Sequence, residues 1–295
     1  MMKIAVTGLS GVIGNVFISE IPSNFEIIDL YNKSKSVSPK IKKHVYFNLF
    51  DKTNIVKKLE KIKPDVVLHM AAITHIDKCE KDKKNGKNGK VWRINVDATE
   101  EIAKYCKKNE ILIVFLSTEC VFDGKKRFYI ESSKKKPINW YGYTKDKAEQ
   151  MLLKSKAPVA IIRSVVAYHK EENNKTIYGK ILNDLKSQKY ISAVTDQLFT
   201  PTYTYDIVKA INNVIENKML GIYHIAPKKS LSPYDFALLV ADKNKYSRSH
   251  VKKTTLKSYY DSKRAALRLR YACLSGQRSS KILKFTPVNP ERAIN

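Results

Sequence analysis

The sequence predicts an α/β fold in which a doubly wound parallel sheet is joined to a smaller, mixed C-terminal lobe. Three features carry that prediction. Short apolar runs alternate with longer amphipathic ones through the first half of the 295 residues, the mark of repeated βα units. A glycine-bearing turn, Gly8 to Gly14, directly follows the first apolar run. Beyond about Ser164 the alternation loosens.

Residues 3–7 read as a buried first strand. Strands follow over 25–31, 66–70, 111–117 and 159–163, each short, apolar and bounded by polar or turn residues. Apolar residues spaced three and four apart predict helices over 98–108 and 144–154, each with one buried stripe. Residues 82–90, with Gly86 and Gly89 among lysines, read as a polar surface loop. A further helix is expected over 177–185, ahead of the segment 193–202. Residues 205–216 and a strand over 221–225 read as late sheet elements. No internal repeat is visible.

The formal net charge of +27 invites a nucleic-acid reading, but its make-up argues otherwise. There are 46 Lys and only 9 Arg, whereas specific phosphate and base contacts favour the guanidinium fork. A solvated lysine-rich surface that suits polyanionic ligands is expected, with no nucleic-acid partner. No apolar run approaches the roughly 20 residues of a membrane span, and the chain enters its first strand without a basic leader, so a cytoplasmic, non-membrane protein is expected. Cys79, Cys106, Cys120 and Cys273 show no CxxC spacing; free thiols and no metal site are the expectation.

Between strand and helix, Gly8, Gly11 and Gly14 stand where a dinucleotide fingerprint requires them: for the tight turn, for backbone approach to a pyrophosphate, and for close helix packing. Ser10, Gly11, Val12 and Ile13 open the helix whose N-terminal amides would face that anion. The sheet is thereby read as a Rossmann fold. Residues 1–170 would bind the dinucleotide, with 203–226 returning to the sheet, and 171–295 would form an interleaved substrate-binding lobe.

Tyr141-Gly142-Tyr143-Thr144-Lys145 sets a phenol and an ammonium one turn apart on one helix face. An ammonium stabilises phenolate, so Lys145 is expected to lower the Tyr141 pKa towards working pH. Tyr141 would protonate a carbonyl oxygen as hydride arrives from a nicotinamide. Thr118, at the end of a strand reading Leu116-Ser117-Thr118, would hydrogen-bond that oxygen, and Ser117 is its closest rival for the role.

With these residues in place, the chain resembles the extended short-chain dehydrogenases/reductases, and within them the dTDP-4-dehydrorhamnose reductase family. The similar stretches are the glycine turn, His69 to Thr74 with Asp77 to Glu80, Ser117 to Gly124, Tyr141 to Lys145, Asp196-Gln197 with Pro201-Thr202, and Gly221 to His224. The resemblance implies reduction of the 4-keto group of a nucleotide-linked 4-keto-6-deoxyhexose, for deoxysugar and surface polysaccharide synthesis, by a homodimer. It places Tyr31, rather than Asp29, where cofactors are discriminated; with Asn32 and Lys33 beside it, NADP is expected over NAD. It also implies that Asn48 contacts adenine, that Leu49, Ala71 and Ala72 line the cofactor site, and that Lys145 holds the nicotinamide ribose. Thr74, Glu119, Cys120, Val166 and Arg268 would meet the substrate.

The chain departs from that family at several of these positions. Glu119 and Cys120 stand where Asp and Tyr are usual, Val166 where an aromatic is usual, and Leu269 where a proline follows the arginine. Cys120 coincides with a proton-moving cysteine of related epimerase/reductases. A bifunctional 3,5-epimerase/4-reductase, with His169 or Lys180 as second acid, is therefore one alternative. A non-catalytic regulatory subunit is another.

Overall fold

The apolar runs form a seven-stranded, wholly parallel sheet in the computed structural model of the chain, which describes residues 1–171, 175–261 and 266–295. Its strands are β1 (Met2–Thr7), β2 (Phe25–Tyr31), β3 (Lys43–Tyr46), β4 (Val66–His69), β5 (Leu112–Thr118), β6 (Val159–Ser164) and β7 (Gly221–Ile225). The order across the sheet is β7-β6-β5-β4-β1-β2-β3. Parallel strands are covered on both faces, which is why the central ones read as continuous apolar runs.

Helices α1 (Val12–Ser19) and α7 (Thr204–Glu216) cover one face, where Val16 and Phe17 pack with Ile207 and Ile211. On the other lie α2 (Lys52–Ile62), α4 (Ala98–Lys108) and α5 (Trp140–Lys154), through Ile55, Leu59, Ile102 and Leu152. Residues 205–216, expected among the late sheet elements, are thus part of a covering helix. Their apolar residues follow the helical stripe Ile207, Val208, Ile211, Val214 and Ile215.

A third core of Phe122, Tyr168, Tyr178, Phe199 and Phe236 fills the C-terminal lobe. Helices α6 (Ile177–Lys186) and α8 (Pro233–Lys243) pack there beside three two-stranded parallel ladders. One of these pairs Ile191–Val194 with Val251–Thr254. Helix α3 (Ile76–Asp82) leads into the segment expected to be a loop, which is instead a helical turn, Lys83–Asn88. Asp82 draws it in by accepting from the Val91 N–H at 2.7 Å and from Asn85 at 2.8 Å, and Gly86 makes the bend at φ +52°. Among the described residues no helix is long and apolar enough to cross a membrane.

Candidate active site

The strand order reverses between β1 and β4, and the crevice beyond their carboxyl ends is where open α/β sheets take ligands. Gly8 turns there at φ +80°, so close to the end of β4 that a Cβ would lie 2.8 Å from the Ala71 nitrogen. Gly14 is equally constrained, since a Cβ would fall 2.2 Å from the Leu9 carbonyl oxygen and push α1 away from the turn. Ser10 and Gly11 lie exposed at the lip, with Val12 and Ile13 half-buried behind them. This cradle fits a pyrophosphate.

Along the crevice Leu49 is buried, Ala71 and Ala72 are half-buried, and Ala71 donates its N–H to Thr7 Oγ1 at 3.2 Å. Asn48 turns its side-chain oxygen to the Phe50 N–H at 3.0 Å. Asp29 is buried and accepts from the Ser36 N–H at 2.9 Å, with His44 Nδ1 at 3.0 Å. It builds the 32–38 loop and is not presented to a ribose. Tyr31 stands at the rim with the Lys35 ammonium 4.9 Å above its ring, followed by exposed Asn32 and Lys33.

Helix α5 begins four residues before the expected 144, which puts Tyr141 in its first turn. Asn139 caps it by accepting the Gly142 N–H at 2.8 Å, and Glu80 accepts from the Trp140 N–H at 2.7 Å. A side chain at 142 would meet the Cys120 carbonyl oxygen at 2.0 Å, so glycine there lets the helix start rest on the 119–121 turn. Tyr141 is thereby held against Thr118, Glu119 and Cys120.

Tyr141 and Lys145 are both buried on this face. Lys145 donates to the Leu116 carbonyl at 2.7 Å and sits 3.7 Å over the Phe115 ring. Burial lowers its pKa to about 7, against the opposing pull of Glu149. The expected lowering of Tyr141 is not found: burial, then Cys120 and Glu119, push its phenol well up, with only a hydrogen bond to Thr118 opposing them. Desolvation outweighs an ammonium that is turned to a backbone carbonyl. Tyr141 is therefore a neutral phenol at neutral pH, the form a proton donor requires.

Thr118 Oγ1 lies 2.7 Å from Glu119 Oε2 and accepts the Cys120 N–H at 3.3 Å. Cys120 Sγ lies 3.6 Å from the other Glu119 oxygen. Burial raises the Glu119 pKa although Thr118 works against it. Burial and then Glu119 raise that of Cys120 further, so the thiol stays protonated.

A cavity of about 460 Å³ adjoins this cluster, and Glu119, Cys120, Val166, Lys180, Tyr260 and Arg268 all line it. Thr74 is not brought in; it stands exposed at the turn before α3. Nor is His169, which is buried beside Thr204 and pairs with Glu171 at 3.3 Å. Arg268 donates to Asp77 at 2.8 Å, which holds that carboxyl below its ordinary pKa, and packs 4.8 Å over Tyr260. Tyr190, Tyr259 and Tyr260 line the cavity without any spacing signal that would have marked them.

The sequence pattern of the RmlD substrate binding domain matches residues 2–295. The chain belongs to that family. Among similar proteins, a dTDP-4-dehydrorhamnose reductase of Aggregatibacter actinomycetemcomitans is 26% identical over 82% of this chain and 79% of its own. Methionine adenosyltransferase 2 subunit beta of Danio rerio is 25% identical over 84% and 76%. A Bacillus anthracis dTDP-4-dehydrorhamnose reductase solved in complex with NADP superposes at a TM-score of 0.86, with 23% identity over 100% and 98% of the chains. At that identity the likeness establishes the Rossmann architecture.

Behind the site this RmlD-family chain carries a buried ionic network. Arg163 on β6 grips Glu149 on α5 through two hydrogen bonds of 2.8 and 2.6 Å, and Glu149 also accepts from Ser117 at 2.6 Å and Lys135 at 3.0 Å. Arg163 reaches His224 on β7 at 3.1 Å. Glu149 follows Lys145 by four residues, the one signal by which sequence reasoning would have found it. Ser117 belongs to this network, whereas Thr118 bonds Glu119 and Tyr141 beside the cavity.

Proposed function

We propose that the chain is a NAD(P)H-dependent reductase of a nucleotide-linked 4-keto-6-deoxyhexose, acting in deoxysugar and surface polysaccharide synthesis. The observation that carries this reading is the hydrogen bond between Thr118 and Tyr141 beside a cavity lined by their neighbours Glu119 and Cys120, with Lys145 on the same helix as Tyr141. Relatives named dTDP-4-dehydrorhamnose reductase and, in Bacillus subtilis, spore coat polysaccharide biosynthesis protein SpsK support it. In the same reading 1–170 with 203–226 carry the cofactor, 171–295 carry the sugar, and the enzyme works as a cytoplasmic homodimer.

The nicotinamide supplies the hydride when bound. The glycine turn from Gly8, with Ser10 to Ile13, holds the pyrophosphate; Leu49, Ala71 and Ala72 flank the adenosine, and Lys145 holds the ribose. With Asp29 committed to Ser36 and His44, the rim of Tyr31, Asn32 and Lys33 has no carboxylate to repel a 2′-phosphate, which favours NADP. Tyr141, as a neutral phenol, gives its proton to the ketone oxygen while Thr118 hydrogen-bonds it. Arg268 and Lys180 supply the positive charge for the sugar's diphosphate.

The epimerase alternative is weakened by the state of Cys120, a protonated thiol beside a carboxyl. The regulatory alternative has a relative's name behind it, but such a role does not call for Thr118, Tyr141 and Lys145 together. Incubation with dTDP-, UDP- and GDP-4-keto-6-deoxy sugars and either NADH or NADPH tests the reading. Tyr141→Phe is expected to lower kcat by about a hundred- to ten-thousand-fold. Unchanged nicotinamide oxidation in that variant would refute it.

A further inference from the structure

Glu119 has an unusual set of neighbours for a buried carboxyl. Its side-chain partners are the Thr118 hydroxyl at 2.7 Å and the Cys120 thiol at 3.6 Å, and neither is a cation. Arg268, which lines the same cavity, is paired with Asp77. From the elements packed around it, Tyr141 faces it from α5, Cys273 from the strand Tyr271–Ala272 and the residues after it, and Cys79 adjoins Tyr141 from α3. Lys180 and Asp184 lie across the cavity on α6. An uncompensated buried carboxylate is costly, so burial favours the protonated form.

The protonation state decides where Thr118 points. A hydroxyl has one hydrogen to give. Facing a carboxylate, Thr118 spends it on Glu119 and offers only lone pairs to a ligand. Facing a carboxylic acid, Thr118 can accept from Glu119, and its own hydrogen is free for a ligand. A ketone oxygen about to gain negative charge needs the second arrangement.

We propose that Glu119 is a positioning residue for the reduction: as a neutral acid it donates to Thr118 and so turns the Thr118 hydroxyl onto the carbonyl oxygen of the keto sugar. This rests on the reductase reading. No net proton leaves Glu119 in the cycle; the proton added to the ketone comes from Tyr141. Burial, which raises the Glu119 pKa, keeps the productive form populated above the usual carboxylate range. Activity falls once alkali removes that proton and Thr118 turns back.

The test compares Glu119→Gln, whose amide N–H still donates to Thr118, with Glu119→Val, which cannot donate. Glu119→Gln is expected to lose under about fivefold in kcat, and Glu119→Val about thirtyfold or more with KM nearly constant, the range of one orienting hydrogen bond. The part of the alkaline limb due to Glu119 should vanish in Glu119→Gln, while the part from Lys145 stays. A Glu119→Gln variant as slow as Glu119→Val, or a Glu119→Val effect confined to KM, overturns the proposal. Isotope-edited infrared spectra supply a readout independent of turnover: a protonated-carboxyl band at neutral pH that is missing from Glu119→Gln. Absence of that band in the parent protein overturns the proposal even if catalysis is intact. Absence of turnover by the parent with every keto sugar, with the band present, overturns the reductase reading instead.

Discussion

Ser117 and Thr118 are neighbours on β5, and successive strand side chains leave opposite faces of a sheet. Each hydroxyl bonds a buried glutamate, Ser117 to Glu149 at 2.6 Å and Thr118 to Glu119 at 2.7 Å. The two carboxyls are nevertheless driven in opposite directions. Burial would raise both. At Glu149 the hydrogen bonds and charge of Arg163, with Lys135, outweigh it and bring the pKa down to about 2, whereas at Glu119 nothing cationic compensates and the pKa rises. A compensated buried carboxyl braces the sheet as an anion, and an uncompensated one beside a cavity is shifted towards its protonated form.

The bracing side should show the largest effect on stability. Arg163→Met removes one partner of a buried pair and leaves Glu149 with Lys135 and the Ser117 hydroxyl, an expected loss of about 3–5 kcal/mol by urea denaturation. The pH dependence follows from the lowered Glu149 pKa. Its stabilising contribution is fully present above the unfolded value near 4.5 and drains away as pH falls through the folded value of about 2. Arg163→Met should flatten that acid limb; a variant that loses stability equally at pH 7 and pH 3 would show that the loss does not run through the ionisation of Glu149.

On the two faces of β5 the paired substitutions should then separate cleanly. Thr118→Val is expected to lower kcat about ten- to a hundredfold, because the bond to the ketone oxygen is lost, and to cost about 1–3 kcal/mol of stability, because Glu119 and the Cys120 N–H lose a buried partner. Ser117→Ala should leave kcat nearly unchanged while costing about 1 kcal/mol of stability for one hydrogen bond to a still-paired Glu149. If both variants lost activity alike, the distinction between the faces would fail.

What could be seen beforehand follows the same division. The central strands were visible because burial on both faces forces unbroken apolar runs, and the glycine turn because the backbone there tolerates little else. Tyr141 and Lys145 were visible because their spacing is local. The direction of the Tyr141 pKa was not, since it depends on desolvation and on Cys120 and Glu119, twenty or more residues away in sequence. Nor was the role of Asp29, which the Ser36 and His44 contacts commit to the 32–38 loop. Glu80, which holds the first turn of α5 from 60 residues away, carried no local signal at all. Nor did Asp82, whose two hydrogen bonds fold a lysine-rich stretch that composition alone reads as loop.

The smallest expected effect sharpens the contrast most, because it concerns what Glu119 does to its other neighbour. A cysteine that abstracts ring protons must spend time as thiolate, and thiolate is favoured by nearby cations and exposure. Cys120 has the opposite surroundings: it is buried, its sulfur lies 3.6 Å from a Glu119 oxygen, and both influences hold its proton on. Turnover in deuterated water should therefore leave C3 and C5 of the sugar unlabelled, with deuterium entering only at the new hydroxyl, where it exchanges out again. Mass and proton spectra of the isolated product decide this. Ring deuterium that disappears in Cys120→Ala would mean that substrate binding reverses the local electrostatics, and that the face of β5 bearing Thr118 moves two kinds of proton instead of one.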